Sequence, residues 1–214
     1  IFASTLWIGG YDAGNNLREA AQTYRQNGTD YWAGPLDTFN LSSDSASWAR
    51  TWKINKSTID NHRKNYLKPG YVVPAEIQDW PANGTGSYAK VLAPYIDVDS
   101  NTLYSPAGGD FPYIFGDQAV YSMYNDSANK HKESKANALG IEVHAMAYAF
   151  KYPISGFSLD NIIFVRYEIK NRSDRDYHDV YAGIWTDFDI GYAYDDYIGS
   201  DSIRNMYYGY NGDT

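Results

Sequence analysis

The acidic segment that begins at Asp97 carries side-chain oxygens at three alternate positions, Asp97, Asp99 and Asn101. The backbone carbonyl of Leu103 and the carboxylate of Asp110 follow close behind in the chain. Ca²⁺ is bound in proteins by six to eight oxygens at roughly 2.3–2.6 Å, and EF-hand loops supply them from alternate positions. The segment therefore predicts a calcium site whose ligands are these five residues.

The match to a complete EF-hand loop fails at two positions. Thr102 stands where that loop has a glycine, and Gly108 stands where it has a bidentate glutamate. Asp, Asn, Ser and Gly are also the ordinary residues of turns. A solvated acidic turn without an ion is the alternative interpretation of this segment.

A second acidic cluster lies farther along the chain. Its carboxylates repel one another unless a cation or several N–H donors offset their charge, and oxygen ligands favour a hard cation. A second metal site is predicted here, with a solvated acidic loop as the alternative. Two of its members, Asp187 and Asp189, could instead be the pair of a glycoside hydrolase, which needs carboxylates roughly 5 to 9.5 Å apart. The cluster comprises Asp187, Asp189, Asp195, Asp196 and Asp201.

The four histidines, at positions 62, 131, 144 and 178, show no spacing typical of a metal site. Glu142 and His144 are two residues apart in a predicted strand, so their side chains share one face. We expect a hydrogen-bonded pair under a loop rather than a zinc site. The sequence contains no nucleophile-elbow, P-loop or dinucleotide-binding motif, so no catalytic residue is assigned and the question of enzyme activity stays open.

The composition excludes several classes of protein. A net charge of −8 without a large Lys/Arg cluster argues against nucleic acid as a partner. The absence of cysteine excludes disulfides and thiolate sites, and no apolar run is long enough to span a bilayer.

The aromatic content is high, with 22 Tyr and 6 Trp among 214 residues. An aromatic ring with a polar tip suits half-wet strands and binding surfaces. Tyr31, Trp32 and Trp80 are candidates for a platform on which sugar rings stack. The alternative is that these tryptophans are core or loop anchors, because Trp is usually largely buried.

The elements that must position these residues are mostly strands. We predict an antiparallel β-sandwich, jelly-roll-like, with one or two short helices and long metal-binding loops, formed by residues 1–214 as a single β-rich domain. A hairpin is predicted to join the strands at 161–171 and 180–188. The sequence begins at Ile1 rather than at an initiator Met, so we expect it to be a piece of a longer chain. Strands are predicted at 1–8, 17–24, 118–124, 141–150, 161–171, 180–188 and 206–210, and helices at 58–66, with Ser57 as N-cap, and at 74–80, with Pro74 at the first helical position.

Long blocks of the chain resemble a module of large secreted Bacteroidetes proteins, which usually carry a sorting domain for the type IX secretion system. The resemblance implies an exported protein, at the outer cell surface or released, and implies little about chemistry. The family often has a glycine where this chain has Thr102, which makes the geometry of the first site an open question. The blocks are LWIGGYDAG (6–14), AAQTYRQNGTDYWAGPLD (20–37), LAPYIDVDSNTLYSPAGGDFPYIFGDQAVY (92–121), LGIEVHAMAYAF (139–150) and WTDFDIGYAYDDYIGSD (185–201).

Two short matches concern modification. Ser45 and Ser127 each follow an aspartate and precede an alanine, which resembles the pattern at which these bacteria O-glycosylate Ser and Thr. We therefore expect an extracellular glycoprotein without catalytic activity, stabilised by Ca²⁺, for adhesion or for an extracellular filament. The expected partners are other domains of the same longer chain, a polysaccharide, or further copies of the chain. A carbohydrate-binding module and a glycoside hydrolase are the alternatives.

Overall fold

The computed structural model of the protein describes residues 1–151 and 159–212, apart from the side chain of Ser45. It is mainly β, with 37% strand and 11% helix, and its sheets are antiparallel. The predicted fold class is thereby confirmed, and the architecture is consistent with a β-sandwich. The strands are β1 (Ala3–Asp12), β2 (Leu17–Ala20), β3 (Trp32–Ala33), β4 (Trp52–Asn55), β5 (Tyr95–Ile96), β6 (Phe111–Pro112), β7 (Gln118–Asn125), β8 (Ile141–Ala149), β9 (Phe164–Asn171), β10 (Tyr177–Asp187), β11 (Asp196–Asp201) and β12 (Met206–Asn211).

Three short α-helices accompany the described strands: α1 (Ser45–Trp48), α2 (Lys56–Asn65) and α3 (Ala75–Gln78). The two predicted helices correspond to α2 and α3. The predicted caps are wrong, because α2 begins at Lys56 with Asn55 as N-cap, and Pro74 is the N-cap of α3 rather than its first residue. Single turns of 3-10 helix lie at Pro106–Gly108 and Leu159–Asn161.

The chain divides into two compact units. The first comprises Ile1–Asp30, Lys130–Leu139 and Asp174–Thr214, and the second comprises Tyr31–Asn129 and Gly140–Ser173. The expectation of a single domain over 1–214 stays a prediction.

The first unit contains a three-stranded sheet in the order β10-β1-β2 and the hairpin β11-β12. Even positions of β1, such as Leu6 and Ile8, are buried, and odd positions such as Trp7 and Tyr11 are more exposed. This alternation is the period of a strand with one covered face. The predicted hairpin between β9 and β10 is wrong, because β10 pairs with β1 and β9 pairs with β8.

The second unit is built on a sheet in the order β3-β7-β8-β9, with β4 also paired to β7. One face of this sheet packs against α2, α3 and the loops around them. The centre of the core includes Ile54, Ile77 and Tyr121, each no more than 1% exposed. Full burial of one such aliphatic side chain contributes about 1.5–3 kcal/mol. The apolar residues of β4, β7 and β8 therefore fix the platform on which the acidic loop is held.

Candidate metal centre

Three of the predicted ligands converge in the second unit. Asp97, Asp99 and Asp110 each offer a carboxylate oxygen, and these three atoms lie within 4.8 Å of one another. The short antiparallel pair β5-β6 explains the convergence, because Ile96 is aligned with Phe111. Asp97 follows the last residue of β5 and Asp110 precedes the first residue of β6, so the pairing places them at the same end.

Asp110 is the anchored member of the trio. Its side chain lies in a residue only 1% exposed, and it accepts hydrogen bonds from Val98 N and Ser105 N, both at 2.8 Å. The His62 ring nitrogen Nε2 lies 3.2 Å from the Asp110 carbonyl oxygen. Asp110 thus holds both arms of the loop in place while one of its oxygens faces the other two carboxylates.

The loop is wound around Asp97. Asp97 accepts hydrogen bonds from Thr102 N at 2.7 Å and from Asn101 N at 3.2 Å. Burial raises the pKa of the Asp97 carboxyl, but these backbone N–H groups outweigh it and keep the pKa below its ordinary value. Asp97 is therefore charged at neutral pH, as a cation ligand must be.

Thr102 adopts the left-handed region with φ of 67°, at the position where an EF-hand has glycine. A β-branched residue at positive φ is a backbone outlier, and its strain costs on the order of 1–2 kcal/mol. The loop thus reaches an EF-like turn without the glycine that makes such a turn easy. The sequence correctly located the turn and left its geometry open.

Asn101 and Leu103 differ from the trio. The Asn101 side-chain oxygen accepts a hydrogen bond from Leu103 N at 2.7 Å, and its amide nitrogen donates to Asp99 at 2.7 Å. The Asn101 oxygen is therefore occupied within the loop. The roles of Asn101 and of the Leu103 carbonyl as ligands stay predictions.

The second acidic cluster is not drawn together in the same way. Within residues 1–151 and 159–212, the trio described above is the one group of three or more such side chains with metal-ligand proximity. Asp187 ends β10 and accepts a hydrogen bond from the Tyr24 hydroxyl, which raises the pKa of Tyr24. Asp201 accepts hydrogen bonds from Arg204 N and from the Arg204 guanidinium.

The remaining members of the second cluster are Asp189, Asp195 and Asp196, and Asp195 directly precedes β11 in the chain. Asp196 is the first residue of that strand, and it accepts a hydrogen bond from Ile190 N at 3.0 Å. Asp189 is close enough to Tyr24 to contribute to its raised pKa. N–H donors thus take up part of the charge of this cluster, and the metal site at Asp187, Asp189, Asp195, Asp196 and Asp201 stays a sequence-based prediction.

The expected Glu142–His144 pair is present. The His144 ring nitrogen Nε2 lies 2.7 Å from the Glu142 carboxylate, and the other ring nitrogen meets the Tyr121 hydroxyl. Sequence reasoning missed Arg172, which donates to the same Glu142 oxygen at 2.7 Å. The signal was weak, because Arg172 follows the end of β9 and reaches Glu142 only through the pairing of β8 with β9.

The candidate sugar-stacking residues separate into two groups. Tyr31 and Trp32 line an open groove of about 500 Å³ together with Arg50 and Tyr124. Trp80 is only 3% exposed and donates its ring N–H to the Pro94 carbonyl at 3.0 Å. Trp80 thus belongs to the core and has no face on which a sugar could stack.

The two candidate glycosylation sites are placed unequally. Ser127 is half-buried, and its hydroxyl donates to the Asp126 carboxylate at 3.0 Å. The side chain of Ser45 lies outside the described part of the structure. Modification at either position stays a prediction.

Comparisons with protein-family models, curated proteins and solved structures found no match to this chain. The resemblance to type IX secreted proteins therefore stays a prediction. Among the described helices, none combines the length and the apolar character that crossing a bilayer requires.

Proposed function

We propose that this chain is a calcium-stabilised, non-catalytic module of an exported protein, used at the outer cell surface for adhesion or for an extracellular filament. The observation that supports it is the convergence of Asp97, Asp99 and Asp110 within 4.8 Å. Three carboxylates at this separation repel one another, and a cation between them would relieve the repulsion that the backbone N–H donors leave. Carboxylate oxygens are the ligands that Ca²⁺ prefers.

An extracellular location suits a calcium site, because Ca²⁺ is abundant outside cells. Extracellular calcium modules bind with Kd of roughly 10⁻⁴–10⁻³ M, which suits the millimolar Ca²⁺ outside cells. A ligand at ten times its Kd stabilises the folded state by about 1.4 kcal/mol through mass action. A loop that carries backbone strain at Thr102 is thus held by an ion that its environment supplies.

Thermal unfolding tests the cation site. After EDTA treatment and dialysis, we expect millimolar CaCl₂ to raise the Tm of the full chain by about 4 °C, from the stabilisation above and the size of the chain. Asp97→Asn removes one ligand charge and should abolish the calcium-dependent shift. Its Tm in EDTA should lie below that of wild type, because both Asp97 oxygens accept backbone hydrogen bonds and an asparagine side chain has one oxygen. Asp174→Asn is the matched control, because its side chain is 94% exposed and is not a member of the trio.

Two results would contradict the cation site. One is a Tm that is identical in EDTA and in CaCl₂; the other is an equal calcium shift in wild type and Asp97→Asn. Titration calorimetry adds the stoichiometry: one ion per chain that is lost in Asp97→Asn assigns binding to the trio, and a second ion that disappears in Asp189→Asn would locate another site in the second cluster.

The cellular location and the adhesive or filamentous role need separate tests. Antibody labelling of intact producing cells should detect the protein, and its retention inside the cells would contradict export. Purified chain with CaCl₂ should either bind to the surface of a cell or assemble into filaments visible by electron microscopy.

A carbohydrate-binding function is the second candidate, and the groove beside Tyr31 and Trp32 favours it. Stacking of a sugar on Trp32 should change tryptophan fluorescence, and Trp32→Ala should remove that change. A fluorescence signal that is insensitive to this substitution would reject the groove as the site.

A further inference from the structure

One face of the three-stranded sheet in the first unit carries an open trough of about 460 Å³. The register places Trp7, Gly9 and Tyr11 of β1 on that face, because side chains of a strand alternate between its two faces. Opposite Gly9 lie Tyr181 on β10 and Glu19 on β2. Gly9, which has no side chain, is therefore surrounded by four large side chains: Trp7, Tyr11, Tyr181 and Glu19.

The floor of the trough is made by glycine. Gly183 is aligned with Trp7, and a Cβ added to Gly183 would meet no atom within 4 Å. A Cβ added to Gly9 would lie 3.1 Å from the Glu19 Cβ, inside the trough. The backbone of β1 and β10 is thus open to a flat molecule laid across it.

The aromatic walls are held in position. The Trp7 ring N–H donates to the Gln22 carbonyl at 2.8 Å, and the Tyr11 ring stacks on His178 with centroids 5.9 Å apart. Trp7 and Tyr11 stand four residues apart on one strand, or roughly 13 Å. Rings that are already ordered lose little entropy when a ligand binds between them.

The backbone beside the trough is irregular. The pairing of β1 with β10 shifts between Gly9 and Tyr11, which is a β-bulge, and Asp179 has a φ of 48°. Bulges commonly re-aim side chains next to binding sites. The bulge and Asp179 both border the trough. The irregular backbone of β1 and β10 therefore lies where it can orient the side chains that line the trough.

The residues that line the trough indicate the chemical class of its ligand. Exposed aromatic faces, with Trp7 at 37% and Tyr181 at 78% exposure, suit the C–H faces of sugar rings. The carboxylates of Glu19 and Asp179 can accept hydrogen bonds from hydroxyl groups. Among the described residues that line the trough none is Lys or Arg, and the net charge of −8 also disfavours an anionic ligand.

We propose that this trough binds a neutral glycan chain, with Trp7, Tyr11 and Tyr181 stacking on its sugar rings and Glu19 accepting hydroxyl hydrogen bonds. The trough shares no residue with the Asp97–Asp99–Asp110 trio or with the groove beside Trp32. It would give an adhesive module a specific surface to attach to.

The test is a titration of the full chain with neutral hexasaccharides of the cello-, xylo-, laminari-, manno- and chito-series, followed by calorimetry and tryptophan fluorescence. At least one series should bind. Trp7→Ala and Tyr181→Ala should each weaken that binding about tenfold or more, as central aromatic contacts usually do.

The Gly183→Leu substitution tests the trough by blocking it sterically. It removes no side chain that would contact the glycan. Its side chain enters free space above the sheet, so the variant should keep the wild-type Tm and lose glycan binding. Tyr194→Ala is the matched control, because it removes a tyrosine that is 88% exposed and does not line the trough, and it should leave the titration unchanged.

Several outcomes would overturn the proposal. They are the absence of binding by every hexasaccharide, binding that survives Gly183→Leu, and binding that is lost in Trp32→Ala but kept in Trp7→Ala. Preferential binding of a lysine-rich peptide that disappears in Glu19→Gln would replace the glycan by a cationic partner. None of these outcomes affects the calcium test, which is read from Tm.

Discussion

Glu142 is a fully buried carboxylate that keeps its charge. Burial raises its pKa, but hydrogen bonds from His144, Arg172 and Leu36 N outweigh that effect and lower the pKa from 4.5 to about 2. With His144 Nε2–H donating to Glu142, the opposite ring nitrogen accepts from the Tyr121 hydroxyl. Every partner in this buried network depends on the same carboxylate, so its loss should be costly.

We predict that Glu142→Gln lowers the free energy of unfolding by about 3 kcal/mol, because it leaves the Arg172 charge without its partner. Urea denaturation at pH 7 measures the change. Glu168→Gln is the control: this exposed residue is aligned with His144 on the next strand, and its substitution should change stability by less than about 0.5 kcal/mol. Similar losses in both variants would contradict the central role of Glu142.

The pH dependence follows from the same lowered pKa. Because Glu142 binds its proton less readily when folded, its contribution to stability is complete above pH 4.5 and is lost as the pH falls toward about 2. We predict that wild type loses stability more steeply than Glu142→Gln across that interval. Urea titrations at several pH values measure it, and parallel curves would show that Glu142 does not carry the effect.

At the scale of elements, β7 is the strand on which the second unit is assembled, since β3, β4 and β8 all pair with it. The chain enters β7 through Gly116, which has a φ of 71°. A Cβ there would lie 2.4 Å from the Ala149 carbonyl oxygen, which belongs to the paired strand β8. The turn therefore tolerates glycine alone.

We predict that Gly116→Ala destabilises the protein by about 2 kcal/mol more than Gly70→Ala does. Both glycines have positive φ, so both substitutions carry backbone strain of roughly 1–2 kcal/mol. Around Gly70 an added Cβ meets nothing within 4 Å, and only Gly116 adds a clash with backbone. Urea denaturation of the two variants measures the difference, and equal losses would refute the clash.

At the scale of the whole molecule, net charge controls the repulsion between copies of the chain. The net charge of −8 at neutral pH falls to zero near the isoelectric point of about 4.9. Like-charge repulsion keeps copies of the chain apart, and it vanishes at that pH. Exposed tyrosines on different copies of the chain can then come into contact, and the copies associate.

We therefore predict a minimum of solubility near pH 5, with recovery on either side. Static light scattering of the purified chain between pH 4 and pH 8 measures it. A scattering signal that does not peak near the isoelectric point would show that association is not controlled by net charge.

Much of the fold could be predicted because strand signals are local. All seven predicted strands overlap strands of the structure, and the alternation along Ile141–Ala149 correctly separated Glu142 and His144 from Val143. The β3, β4, β5, β6 and β11 strands were missed. Of these, β3, β5 and β6 are only two residues long, and β11 lies in a stretch whose aspartates suggested a loop. Turn chemistry at 172–176 also suggested a hairpin that the pairing of β10 with β1 replaces.

The sequence alone located seven of the strands, the residues that share a face within them, and the loop in which Asp97 and Asp99 carry oxygens at alternate positions. Those features depend on residues that are neighbours in the chain. Only the tertiary structure decided that the predicted ligand Asp110 lies within 4.8 Å of Asp97 and Asp99, that Arg172 reaches Glu142, and that β10 joins β1 to form the trough. These depend on strand pairing between distant segments, and the register of such pairing is set by the packing of the whole unit rather than by any local pattern.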